Sequence, residues 1–390
     1  MKTVDLIYFN AGGGHRASAL ALQAVLREQG RPWLVRLVNL FEVLDPQGRF
    51  RRVTGRAPED WYNQRLARGW TLGMAQELRV LQTLIRVAHP ALVRRLRQHW
   101  LRTEPDLVVS LVPNFNRALY QSLASALPGV PYATVLTDLA DVPPRFWIER
   151  EQPQHLICGT PRAVAQALAM GHAPARVHAT SGMIIRPEFY RQPPLDRDQA
   201  LRSLGLDPTR PTGIVMFGGH GSRAMEGIAR RLGGGTQLIL ICGHNKPLAA
   251  RLQALPVRAP RLVLGFSSEV AHCMRLADFF IGKPGPGSLS EAVRQGLPVI
   301  VTDNAWTMPQ ERYNAQWVRE NHLGVVHRSL RTIERAVAEL LADLDGFRAS
   351  VRRIDNRALL EIPEILERLL HEAPDAQGTV PDIFAKRLIA

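Results

Sequence analysis

Two doubly wound α/β domains are what this sequence predicts, and three observations predict them. Short apolar runs alternate with segments of helical period, as in βαβ units. The pattern stops at a proline-rich, charged stretch, 186-RPEFYRQPPLDRD-198, and then restarts. Each half opens with an apolar run that feeds a glycine-rich turn, 11-AGGGHRAS-18 in the first and 218-GGHGS-222 in the second. The length of 390 residues also exceeds what one hydrophobic core usually serves. The expected division is a first domain over 1–190, a linker over 191–210, a second domain over 211–365 and a tail over 366–390.

In the first half, Val4–Phe9 reads as a buried strand. His15–Gln29 reads as a helix with Ala19, Leu22, Val25 and Leu26 on one face and Gly30 as its stop. Trp33–Leu40, Leu107–Val112, Tyr132–Leu136 and His155–Cys158 read as further strands. Leu72–Arg86 is helical, Pro90 is expected to interrupt it, and Ala91–Leu101 resumes. In the second half Thr212–Phe217, Gln237–Cys242 and Val299–Val301 read as strands, with a helix between the glycine turn and Leu232. Leu359–Leu370 is amphipathic.

Composition excludes several classes. A 46% hydrophobic and 22% charged chain is that of a soluble globular protein, and no apolar run approaches the ~18 residues of a spanning helix. Asp5 and the glycines interrupt any signal-peptide core. Cys158, Cys242 and Cys273 match no metal spacing, so a reduced cytosolic compartment is expected. The net charge is +14, and 45 of the 49 basic residues are arginine. Residues 49–102 hold twelve arginines, Arg49, Arg51, Arg52 and Arg56 among them, against Glu59, Asp60 and Glu77. That excess suits an anionic membrane surface, or is only a solvated face. It lacks the interleaved aromatics and motifs of a nucleic-acid binder, so no nucleic acid is expected.

The first glycine turn fits the loose dinucleotide fingerprint at Gly12, Gly14 and Ala17. The residue ending the second strand is Asn39, not the acid that would hold a ribose, which weakens an oxidoreductase reading. His15 stands on the first turn of a helix, where the dipole disfavours a charged imidazole. A neutral imidazole can take a proton from a hydroxyl. The second turn, 218-GGHGSRAMEG-227, can offer backbone N–H groups to a diphosphate; it lacks the G-K-[ST] ending of a nucleoside-triphosphate loop. In 281-IGKPGPGSLSEAVRQGLPVIV-301 the Pro-Gly turn lets a ligand approach the backbone. Glu291 can accept two ribose hydroxyls, or cap its helix as part of Ser288-x-x-Glu291. Gln310, Glu311 and Asn314 are candidates for sugar hydroxyls or are ordinary loop polars. Asp138 ends a strand, where such folds place ligands, or caps the following turn.

Together these stretches resemble a known group. The pattern G-G-G-H-R-A-S-A, T-D-L, 241-ICGHNK-246, K-P-G-P-G-S-L-S-E-A and P-Q-E is similar to the monogalactosyldiacylglycerol synthases and processive diacylglycerol glucosyltransferases of glycosyltransferase family 28, over about residues 4 to 330. The resemblance implies a GT-B fold: two Rossmann-like domains facing across a cleft, acceptor on the first and UDP-sugar on the second. It implies an inverting hexosyltransferase that uses UDP-galactose or UDP-glucose, a lipid acceptor such as diacylglycerol, no cofactor and no active-site metal, at the inner face of the cytoplasmic membrane. His15 matches the base, beside the acceptor-side turn Gly12, Gly13 and Gly14. Asp138 matches the aspartate of the T-D-L element. Glu291 matches the ribose-binding glutamate, and Gln310 and Glu311 match the pair on the donor sugar. Phe266 matches the region near the uracil. Gly218, Gly219, Gly221, Ser222, Gly243, Gly285, Gly287 and Ser288 match the loops near the diphosphate, with Arg223 and Lys283 as helping cations. The plant lipid synthases carry acidic or neutral residues in the 218–222 turn, where this chain has His220, with Arg223 just beyond. Rival readings are a same-fold transferase using UDP-N-acetylglucosamine or another acceptor, a hydrolysing UDP-sugar epimerase, and a non-catalytic nucleotide-sugar-binding protein. Oligomeric state is not predicted.

Overall fold

A computed structural model describes residues 1–10, 13–48, 52, 55, 74–232, 234–256 and 259–372. Among these, twelve strands form two six-stranded sheets. The strands are β1 (Lys2–Tyr8), β2 (Trp33–Asn39), β3 (Leu107–Ser110), β4 (Tyr132–Val135), β5 (His155–Cys158), β6 (Val177–Ala179), β7 (Thr212–Met216), β8 (Gln237–Ile241), β9 (Arg261–Leu264), β10 (Phe279–Gly282), β11 (Val299–Thr302) and β12 (Gly324–His327). The first sheet runs β2-β1-β3-β4-β5-β6 and the second β12-β11-β10-β7-β8-β9. Every pairing is parallel.

Parallel strands are covered on both faces, so they read as continuous apolar runs. Side chains of alternate residues go to opposite faces. Thus Val4 and Leu6 of β1 pack with Leu22 and Leu26 of the helix Gly14–Glu28, while Ile7 packs with Leu96, Trp100 and Leu119. In β11, Val299 and Val301 join one core layer and Ile300 the other.

Three expectations are corrected. Pro90 does not interrupt: one helix runs from Met74 to Thr103. Ile85 before the proline and Leu92, Leu96 and Trp100 after it all pack on the same core, which offsets the lost hydrogen bond. The stretch 191–210 is not a free linker. Residues Arg197–Ser203 form a helix capped by Asp196, and Leu201 and Leu206 are buried in the second domain's core. Arg197 fixes that helix by donating to Asp278 at 2.9 Å. Finally, the second domain does not extend to 365. The helix Ala358–Glu372 returns to the first domain, where Leu359, Ile362, Leu366 and Leu369 pack beside Leu22 and Val25. The chain therefore crosses between domains twice. The crossings are tied by Asn356, which donates to the Met183 carbonyl at 2.9 Å, and by the Arg357 backbone N–H, which donates to Ser181 at 2.6 Å.

Candidate active site

Each sheet reverses its strand order once, between β1 and β3 in the first and between β7 and β10 in the second. Parallel sheets open a crevice at the carboxyl ends of such strands. His15 lies beyond the end of β1, beside Leu111 beyond β3. Gly218 follows β7 and Lys283 follows β10; a Cβ on Gly218 would lie 3.9 Å from the Lys283 side chain. The topology thus brings both glycine turns to switch points.

On the first domain, Gly13 has φ 79°, in the left-handed region that glycine tolerates, and begins the helix Gly14–Glu28. A Cβ on Gly13 or Gly14 would meet open space. Gly12 lies outside the described residues. His15 Nδ1 is 3.1 Å from Thr137 Oγ1. It keeps part of its surface open but is otherwise ringed by protein. That desolvation lowers its pKa to about 4, against a weaker opposing hydrogen bond with the Leu111 backbone. Burial is thus the largest cause, where the sequence had pointed to the helix terminus. Next to Thr137, Asp138 is buried and accepts from Trp147 Nε1 at 2.9 Å. Burial raises its pKa to about 7; the Trp147 bond opposes this, Glu311 adds to it and Lys283 subtracts. Those last two influences cross the cleft, so Asp138 faces the second domain.

On the second domain, Lys283 Nζ donates to Glu311 Oε1 at 2.6 Å. This qualifies the sequence reading: the charge Lys283 could offer a diphosphate is shared with Glu311. Gly285 sits against that pair, since its Cβ would come 3.2 Å from Lys283 and 3.5 Å from Glu311. Asn314 holds the turn by donating to the Pro284 carbonyl at 2.8 Å, and its own side-chain carbonyl is buried without a partner among the described residues. Gly221 and Gly243 have φ 59°, and a Cβ on Gly243 would collide with the Gly219 backbone. The turns after β7 and β8 are therefore pressed together. Gly219 and Gly287 leave open space. Ser222 Oγ accepts from the Ala224 backbone at 3.2 Å. Ser288 is partly buried and Arg223 exposed. Phe266 is 69% exposed and stacks on His244, ring centroids 4.3 Å apart, beside the same turns. Gln310 is partly buried and points its amide at the Met308 sulfur, 3.7 Å away.

Glu291 is buried, and the choice left open for it is resolved against capping. The helix Pro286–Arg294 begins at Gly285 with no side-chain cap. Instead Arg186, from the segment between the domains, donates to both Glu291 oxygens at 2.9 and 3.5 Å. A ribose bound at Glu291 has to share this carboxylate with Arg186.

The sequence reading missed Trp147, Thr137, Arg186 and His244. Thr137 precedes the predicted Asp138 and was within reach; no spacing singles out Trp147 or Arg186. Of the four predicted membrane arginines, Arg52 is exposed, and Arg49, Arg51 and Arg56 lie outside the described residues. Among the described residues no cluster of three or more His, Cys, Asp or Glu could hold a metal ion, and no helix is long and apolar enough to cross a membrane.

Two parallel α/β domains that meet at a cleft, with both switch points on it, constitute the GT-B fold. Solved structures share it. The chain is similar to MurG of Acinetobacter baumannii (TM-score 0.58, 12% identity, 94% of this chain and 100% of that one). It is also similar to the calicheamicin glycosyltransferase CalG4 (TM-score 0.61, 16% identity, 96% and 100%). A UDP-GlcNAc 2-epimerase from Neisseria meningitidis bound to UDP-GlcNAc is comparable (TM-score 0.54, 14% identity, 94% and 100%). At these identities the likeness is one of fold. Residues 214–369 match the glycosyltransferase family 28 C-terminal domain. It is 29% identical to a probable monogalactosyldiacylglycerol synthase of Glycine max over 87% of its length, and 27% identical to that of Spinacia oleracea over 87%. It spans 65% and 66% of those relatives' own lengths. The synthase 1 of Arabidopsis thaliana is 26% identical over 95% of this chain and 70% of the relative.

Proposed function

We propose that this chain is a UDP-sugar-dependent hexosyltransferase that glycosylates a lipid acceptor such as diacylglycerol. One observation carries the reading. His15, held against Thr137 next to Asp138, and the Lys283–Glu311 pair of the second domain, whose charges act on Asp138, meet at one cleft. His15 removes the acceptor hydroxyl proton as that oxygen attacks the anomeric carbon. The bond to UDP breaks on the opposite face, UDP leaves with the electron pair, and the configuration inverts. Glu311 and Gln310 hold sugar hydroxyls, Glu291 the ribose, and the N–H groups of the 218–222 and 285–288 turns the diphosphate. Lys283, held by Glu311, places its charge at the junction of sugar and diphosphate. No metal takes part in this scheme, so chelation with EDTA leaves turnover unchanged.

The acceptor suggests a membrane surface, at the cytoplasmic face. On the helix Met74–Thr103, Val80 (60% exposed), Leu84 (60%) and Val87 (76%) form an outward apolar stripe at helical spacing, with Arg79 and Arg86 beside it. Such a helix can lie on anionic lipid.

Incubation with UDP-galactose, UDP-glucose and UDP-N-acetylglucosamine, with and without diacylglycerol vesicles, tests the reading by mass spectrometry. A glycosylated lipid, formed only when both substrates are present, is the expected result. Donor consumed equally without acceptor points to a hydrolysing epimerase. UDP-sugar bound but never consumed points to a binding protein.

A further inference from the structure

We infer that Trp147 is a positioning residue for the catalytic groups: its indole N–H fixes the Asp138 carboxylate, and its ring walls one side of His15. The inference rests on the transferase reading above. The indole Nε1 donates to Asp138 Oδ2 at 2.9 Å, and its ring centroid lies 5.8 Å from that of His15. Thr137, adjacent to Asp138 in the chain, reaches His15 Nδ1 at 3.1 Å. The four residues thus close a circuit, His15–Thr137–Asp138–Trp147, in which moving the indole moves both His15 and Asp138.

The indole is itself held from several sides. Asp141 accepts backbone N–H groups from Arg145 at 2.8 Å, Trp147 at 2.6 Å and Ile148 at 3.4 Å, which shapes the loop. Asn116 donates to the Trp147 carbonyl at 2.9 Å. Asn116 Oδ1 is in turn held by Ser110 at 2.7 Å and Tyr132 at 2.8 Å. Trp147 is 1% exposed. A buried indole needs a partner for its N–H, and here that partner is the carboxylate facing the cleft. A group fixed by packing and a supporting hydrogen-bonded shell keeps a site in working geometry.

The indole N–H stabilises charged Asp138 and opposes its burial. The other charges facing Asp138 are Glu311 and Lys283 across the cleft and Asp141 on its own segment, with neutral His15 nearby. None of them replaces a direct donor.

Trp147→Phe keeps the wall and removes the donor. A hydrogen bond to a charged group corresponds to roughly one to two pH units, so the Asp138 titration moves up by that amount. It is read by carbon NMR of labelled aspartate in protein without substrate, with Asp138→Asn assigning the signal. In activity the pH limb due to Asp138 shifts upward equally. Near neutral pH kcat falls roughly tenfold, while the donor KM stays within about twofold. In the Asp138→Asn background, Trp147→Phe adds little. If Trp147→Phe fails to fold, benzothienylalanine at 147 has the shape of indole without the N–H and serves the same test. An unmoved Asp138 titration, or losses that multiply in the double variant, overturns the assignment. A wild-type protein that transfers no sugar while the titration moves as described overturns only the functional reading.

Discussion

With its pKa lowered to about 4, His15 is unprotonated throughout the neutral range and ready to accept a proton. His15→Ala is expected to cut turnover by roughly 10²–10⁴-fold. The UDP affinity, measured by calorimetric titration, is expected to stay close to wild type because the proposed nucleotide contacts lie on the other domain. Asp138 is the converse case. The folded protein holds its proton more tightly than the unfolded chain, whose carboxyl titrates at about 4. This residue's contribution to stability is therefore complete below that pH and is lost as pH rises through about 7. Asp138→Asn abolishes the loss, so its Tm falls less than that of wild type between pH 5 and pH 8 in scanning calorimetry. His15 was legible in the sequence because three glycines and a helix start announce a special turn. Its environment was not, since Leu111 and Thr137 come from distant parts of the chain.

The glycine turns of the second domain are the elements to which we assign donor binding. Gly243→Ala forces a side chain into a left-handed position and into the Gly219 backbone. Both turns must shift, and UDP affinity is expected to drop by about tenfold or more, whereas Gly219→Ala, which faces open space, changes it much less. A second element-level case is the β1–β2 pair. Asp5 is fully buried, and Arg36, directly opposite in register, donates to both of its oxygens at 2.6 and 3.0 Å. Arg36→Ala leaves an unpaired buried carboxyl and should cost about 2–3 kcal/mol in urea unfolding, less than a fully buried pair because Arg36 is partly exposed. Apolar runs ending in a turn signal were readable: β1, β2, β3, β4, β5, β7, β8 and β11. The short edge strands β6, β9 and β12 were not: they are only partly buried, so they lack the run of buried apolar residues that marks equally short central strands such as β3 and β4.

Over the whole molecule, the proposed function needs one surface to meet lipid and one cleft to take both substrates. Exchanging Val80, Leu84 and Val87 for aspartate should abolish co-sedimentation with anionic vesicles and leave UDP affinity intact; unchanged co-sedimentation would remove the membrane proposal. Motion between domains has to pass through the two crossings near Met183 and Asn356. There a Cβ on Gly182 would strike the Asn356 side chain, so the segments lie in tight contact. By itself the sequence determined the two-domain parallel architecture, the glycine turns and the histidine, because glycine, proline and strand periodicity act locally. Only the tertiary structure decided that the last helix belongs to the first domain, that Lys283 is paired with Glu311, that Arg186 holds Glu291 and that Trp147 binds Asp138. Each of these joins residues far apart in the chain through burial and charge, and no local pattern encodes which partners desolvation will bring together.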